Sequence, residues 1–183
     1  MTGKTATCLS GAAVTSHVVA SPIGRIFVSV CRKGIHSIHL EPAGVGKIND
    51  AEVELEESEE CGPPDAEHVM NAVNWLKHYF VRCSPECEQP GLCLEGHTDF
   101  RVKVWLSLKD GTKRGDRISY KELARLAGVS EKSSRAVGQA MANNPFLLLV
   151  PCHRVILSSG KIGHYSSGKR DDVKRYLLEL ELH

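Results

Sequence analysis

The hydrophobic pattern changes its period part-way along the chain. Residues 16–40, SHVVASPIGRIFVSVCRKGIHSIHL, are rich in β-branched residues and alternate apolar with polar in RIFVSV and IHSIHL. SPIG and RKG punctuate them as turns. This predicts a small antiparallel sheet. Residues 41–64 turn polar and acidic, and EVELEESEECGPP reads as a mobile loop. After Asp65 the spacing becomes helical, with Val69, Val73, Leu76 and Phe80 on one face. VRCSPECEQPG breaks that pattern, so a domain boundary is expected near Gly91–Asp99. Beyond it, Phe100, Val104 and Leu108 keep helical spacing. SYKELARLAG carries a capping box, with Ser119 as N-cap, Glu122 three residues on and Gly128 closing the helix. A second helix is expected from near Ser130, and the short AGVS link makes the pair a helix-turn-helix.

A chain of 183 residues suits one domain or two small ones and is long enough to bury a core. No run approaches the length of a membrane span. The start, MTGKTATCLSGAAVTS, has no long apolar stretch of the secretory kind, so an intracellular, reducing compartment is expected. Seven cysteines is an odd number, which leaves at least one outside any intramolecular disulfide. The net charge of +1 conceals an asymmetry. From Arg101 onward sixteen Lys/Arg stand against eight Asp/Glu, a net of about +8; before it seven stand against fourteen, about −7. A basic half points to a polyanion partner such as nucleic acid, or to an unevenly charged solvated surface.

Two stretches of the second half ask for more than packing. RAVGQAMA, in the second helix of the pair, is nearly all small residues around Arg135. Gly138 costs about 1 kcal/mol of helix propensity relative to Ala. Such slimness serves either tight helix packing or close approach to a nucleic acid groove. PCHRV, residues 151–155, follows the apolar run FLLLV. A cysteine after such a run is usually a core thiol. A reactive one needs a nearby imidazole or positive charge to favour its thiolate. Neighbours in sequence often point apart, so Cys152 and His153 would need a turn at the end of a buried strand.

PCHRV stands here with ISY, RAVG, NNP, a serine-glycine loop around Tyr165 and a terminal K..LL..E pattern. In that order and spacing the chain resembles the O6-alkylguanine-DNA alkyltransferases, the methylated-DNA–protein-cysteine methyltransferases. The resemblance is strong from about Gly96 to Glu181 and weaker before it. It implies an α+β chain: an N-terminal α/β domain over 1–95 with a small antiparallel sheet, and a mainly helical domain over 96–183 with the helix-turn-helix and the active-site cysteine. It implies single-turnover transfer of an alkyl group from O6 of guanine in double-stranded DNA to Cys152, after minor-groove binding and base flipping. His153 would be the base and Glu181 its orienting group, with Glu179 a competitor that the K..LL spacing disfavours. Asn144 would fix the turn into the active-site strand. Tyr120 would donate its proton to the leaving guanine. Arg135 would fill the gap left by the flipped base, while Ala136, Gly138 and Ala140 keep the helix slim beside Ser158. Tyr165, Ser166, Val155 and Leu147 would line the pocket, and Ser167 stands where related members often carry glycine.

The chemistry implied requires no cofactor. Some family members hold one structural zinc, and Cys31, His36 and Cys8 would supply three ligands here, with Cys93 or His97 as the fourth. The chain is expected to act as a monomer, nuclear in a eukaryote and otherwise cytoplasmic. Two rivals compete. A sensor of alkylated DNA or a winged-helix regulator would need no acceptor thiol at position 152. A thiol redox enzyme or peptidase would not need the SSRAVGQAMANNP helix.

Overall fold

The computed structural model describes residues 8, 11, 13–42, 48–81, 88–165 and 168–182. The chain divides into two compact units, one ending at Gly96 and the other starting at His97.

In the first unit, β1 (Thr15–Ala20), β2 (Ile26–Cys31), β3 (Gly34–Leu40) and β4 (Glu54–Ser58) form an antiparallel sheet in the order β3-β2-β1-β4. The helix α1 (Pro63–Phe80) starts two residues before Asp65, because Pro63 and Pro64 suit a first turn whose N–H groups lack partners anyway. Its buried face carries Val69, Val73, Leu76 and Phe80, joined by Ala72, Trp75 and Tyr79. The core of this unit includes Val19, Ile26, Val28, Ile35 and Ile38, all essentially inaccessible.

The acidic stretch expected as a mobile loop is corrected in part: Glu54–Ser58 is a strand. It pairs with β1 from His17↔Ser58 to Ala20↔Glu54 across a bulge at Val18/Val19. Pairing satisfies backbone groups along β1 that would otherwise lie open at an edge. All five residues are exposed, so the strand carries its charges to solvent and its period is masked by glutamates. Arg25 bonds Glu56 and Glu57 at 2.7 and 2.6 Å.

Gly34 has φ of +125°, and a Cβ there would collide with the Gly91 carbonyl. That bare backbone lets the segment after residue 90 lie against β3. Ile35 N–H donates to Gly91 O at 2.8 Å, and Cys93 N–H donates to Ile35 O at 2.7 Å. Cys93 is thereby drawn to the β2–β3 corner.

The second unit is mainly helical: α2 (Asp99–Gly111), α3 (Tyr120–Leu126), α4 (Ser134–Ala142) and α5 (Asp171–Leu180), with a two-residue parallel pair β5 (Ile118–Ser119) and β6 (Val155–Ile156). The capping box forms: Ser119 N–H donates to Glu122 Oε2 at 2.6 Å and Glu122 N–H to Ser119 Oγ at 3.2 Å. Gly128 follows with φ of +60°. A single 3-10 turn at Glu131–Ser133 precedes α4, which completes the helix-turn-helix. Trp105, Leu108, Leu123, Val137, Phe146, Leu149 and Leu177 form the core, and Trp105 Nε1–H donates to Ala140 O at 2.9 Å.

The run into the cysteine is a second correction. FLLLV is buried, but residues 147–150 form turns where a strand was expected. Asn144 is the cause. Its Oδ1 accepts from Phe146 N–H at 3.0 Å and its Nδ2 donates to Val150 O at 3.0 Å. An amide that bonds both ends of a five-residue stretch folds it back on itself. Leu148 inside it has φ of +67°, a left-handed conformation that costs a non-glycine residue about 1–2 kcal/mol.

Two predictions follow from these contacts. Asn144→Ala should destabilise the protein by about 1–3 kcal/mol, read as a lower Tm, because it strips a donor and an acceptor from a half-buried turn. The second concerns His17, which is fully buried, within 3.0 Å of Thr15 Oγ1 and 2.9 Å of Ser58 Oγ. Burial lowers its proton affinity, against the opposing pull of Glu59 and Asp65. The unfolded chain then takes up a proton near pH 6.5 before the folded one does. The resulting stabilisation is present above that pH and is lost as pH falls below it. Denaturation between pH 7.5 and 5 should show that loss, and His17→Gln should flatten it.

Candidate active site

Cys152 opens a 3-10 turn, Cys152–Arg154, that leaves the folded-back segment and enters β6. Its N–H donates to Val150 O at 2.7 Å. The tight turn separates two neighbours into different environments. Cys152 is half-buried, while His153 is fully inaccessible. The Cys152 thiol lies 3.6 Å from the Tyr165 hydroxyl, and Tyr165 is itself buried.

His153 Nε2 lies 2.9 Å from Glu181 Oε1. An ionised carboxylate only accepts, so Nε2 carries the hydrogen and Nδ1 the lone pair. Glu181 caps the end of α5 and is buried, whereas its competitor Glu179 is exposed. The structure therefore settles which glutamate meets the histidine. Burial alone would raise the Glu181 carboxyl. The hydrogen bonds from His153 and Arg154 overcome it and hold the group well below the usual carboxylate range. Burial lowers the proton affinity of His153, although Glu181 pulls the other way.

Arg154 and Lys174 are the site residues that the sequence reading left without a role. Arg154 donates to both oxygens of Glu181, each at 2.8 Å. Lys174 is buried on α5 and donates to Val155 O at 2.7 Å. Their signal was present, since PCHRV contains the arginine and K..LL the lysine. Nothing in a sequence says that such cations point inward.

Tyr120, Arg135, Gly138 and Ser158 line one groove of about 460 Å³, together with Lys121, Ser134, Gln139 and Leu157. Tyr120 begins α3, and burial raises its phenol, with Cys152 adding to the effect. Arg135 and Ala136 are exposed on α4. Ala140 is not: it is buried, and its carbonyl takes the Trp105 bond, so it belongs to packing and not to a groove. Val155 is buried and Leu147 half-buried. Ser166 and Ser167 lie outside the described residues.

The first unit holds a second cluster. Ligand atoms of Cys8, Cys31, His36 and Cys93 all lie within 4.8 Å of one another. Cys8 and Cys93 sulfurs are 3.5 Å apart, far from a bonded pair at about 2.05 Å. All of these cysteines are free thiols. His36 Nδ1 is buried with no hydrogen-bond partner among the described residues. Burial, the largest effect, and the neighbouring sulfurs push the Cys93 thiol up to about 12. Three thiols and an imidazole with an orphaned nitrogen are a donor set that fits zinc. His97, the other candidate fourth ligand, belongs to the second unit and packs edge-on against Trp105 at 4.8 Å between ring centroids.

The profile of the 6-O-methylguanine DNA methyltransferase DNA-binding domain matches residues 99–183. The human methylated-DNA–protein-cysteine methyltransferase is 39% identical over 170 residues, covering 89% of this chain and 78% of that one. The protein of the same name from Methanosarcina acetivorans is 33% identical over 164 residues, covering 90% and 96%. The crystal structure of Mycobacterium tuberculosis OGT in complex with DNA superposes with a TM-score of 0.68 at 31% identity, covering 90% of each chain. With these matches, the chain belongs to the methylated-DNA–protein-cysteine methyltransferase family.

Proposed function

We propose that this protein reverses alkyl damage in double-stranded DNA by moving the alkyl group from O6 of guanine to its own Cys152. The observation that carries this reading is the turn that holds Cys152 half-exposed while His153 is sealed against Glu181. In the reaction the thiol proton passes to His153 through a water. The thiolate attacks the saturated carbon, forming S–C as C–O breaks. Guanine leaves as an anion, and the Tyr120 phenol donates a proton to it. Arg135 fills the stack that the flipped base vacates, with Ala136 and Gly138 close to the backbone. Val155, Leu147 and Tyr165 shape the pocket. No helix among the described residues is long and apolar enough to cross a membrane. Free thiols suit a reducing intracellular compartment.

A thioether is not reversed by thiol exchange. Each molecule therefore acts once. Mixed with excess O6-methylguanine oligonucleotide, the protein should gain one methyl on Cys152 and stop, and Cys152→Ala should bind DNA without gaining mass. Clearance of a several-fold excess of lesions would refute single use. Wild-type protein that binds alkylated DNA and gains no mass would make it a sensor.

The chemistry requires no cofactor, and we propose one structural zinc held by Cys8, Cys31, His36 and Cys93. The ion would join the N-terminal segment, the β2–β3 corner and the segment after β3's partner Leu92. Its binding energy would be folding energy. Protein purified without chelator should contain about one zinc per chain. Stripping it should lower Tm more than it lowers methyl transfer per molecule. Full zinc retention in Cys31→Ala would sink the assignment.

A further inference from the structure

The Cys152–His153–Glu181 reading leaves the buried cation bonded to Glu181 unassigned. Arg154 directly follows the histidine and is 8% exposed. Its Nε donates to Glu181 Oε2 and its Nη2 to Glu181 Oε1, each at 2.8 Å, a parallel two-point fork. Its Nη1 donates to Thr112 O at 3.1 Å and to Thr112 Oγ1 at 3.2 Å. Glu181 also accepts from Gly115 N–H at 3.2 Å. The oxygen that holds the His153 ring is therefore shared with the guanidinium.

Burying a guanidinium is costly unless its donors are matched. A residue that merely tied down the end of α5 could do so from the surface, as Arg114 does through Leu180 O at 2.9 Å. Something requires this cation inside. A lone carboxylate beside a buried imidazole would stabilise the imidazolium, and a ring already protonated cannot take a proton from the thiol. The charged groups facing the ring are Glu181 from the end of α5, Lys174 from α5 and Arg154 from its own turn. Glu181 is the anion among them, and Arg154 is the cation bonded to it.

We infer that Arg154 is a positioning residue for alkyl transfer: it locks Glu181 in one orientation and neutralises it, so that His153 rests as a neutral base. Thr112, just past α2, completes the clamp by fixing the third arm of the fork. The inference rests on the proposed roles of His153 and Glu181. Histidine, glutamate and arginine together carry no net charge at rest. When the thiol gives up its proton the set becomes cationic beside the new thiolate, a pairing that favours both.

The test is the pH dependence of single-turnover methyl transfer from an O6-methylguanine oligonucleotide, measured under saturating protein. Arg154→Met should move the acid limb of the profile upward by about one pH unit, because an uncompensated Glu181 holds a proton on His153. Arg154→Lys keeps the charge but not the fork, and should slow transfer at every pH with a smaller displacement of the limb. Thr112→Val, a milder change, should displace the limb slightly in the same direction; it serves if Arg154→Met does not fold. NMR titration of the His153 ring should follow the same order. A profile that superposes on wild type while only Tm falls would reduce Arg154 to a structural residue. His153→Gln separates the two layers. If it leaves the acid limb in place, the base assignment is wrong; if it removes the limb while Arg154→Met and Thr112→Val leave theirs unmoved, the arginine inference is wrong.

Discussion

The buried carboxylate of Glu181 is the point on which the second unit depends. It lies at the end of the last helix, yet its bonds reach the loop after α2 through Gly115 and the active-site turn through His153 and Arg154. Three segments far apart in sequence are joined by one side chain. A carboxylate in this position could not stay ionised without its donors, and the donors could not be buried without it. That mutual need makes the arrangement all-or-none, which suits a site that must be complete before the substrate arrives. It also explains how a helix only ten residues long can place its end accurately: the end is bonded, and the body is held by Val173, Leu177 and Leu178 in the core.

A second constraint delivers the thiol. The approach from α4 to Cys152 is bent by Asn144 and passes through the left-handed Leu148. A straight strand of the same length would carry the cysteine past the turn that separates it from His153. Bending the backbone costs energy at Leu148, and the buried Phe146, Leu149 and Val150 around it supply the packing that offsets the cost. FLLLV is apolar because it anchors a bend, and its uniform hydrophobicity hides whether it is a strand or a packed turn.

Much of this was legible in the residues, for identifiable reasons. The capping box, the Gly128 stop and the alternation in β2 are local rules, and each held where the sequence states it, whereas β3 forms a strand whose buried residues Gly34, Ile35 and Ile38 do not alternate. β4 was missed because five exposed residues with three glutamates carry no burial pattern, and only the pairing with β1 makes them a strand. The fourth member of the thiol cluster stayed open between Cys93 and His97 because the choice depends on Gly34. That glycine admits the Gly91 backbone and so sets Cys93 beside Cys31. Arg154 and Lys174 were passed over because long cations are usually solvated, and their burial depends on partners 19 to 42 positions away.

The slender helix α4 shows how geometry divides two explanations that a sequence leaves joined. Small residues there can serve packing inside the protein or approach from outside. Ala140 serves packing, since it is buried and its carbonyl takes the Trp105 bond. Gly138 does not. A Cβ at that position would meet the Tyr120 ring at 3.7 and 3.8 Å, ordinary contact distances. Alanine would fit, and would be worth about 1 kcal/mol to the helix. No neighbour within the described fold demands the glycine, which lines a groove with Arg135, Tyr120 and Ser158. A methyl group there would stand between the helix and whatever enters that groove. Internal packing thus accounts for Ala140 and leaves Gly138 open to the role proposed for it in approaching DNA.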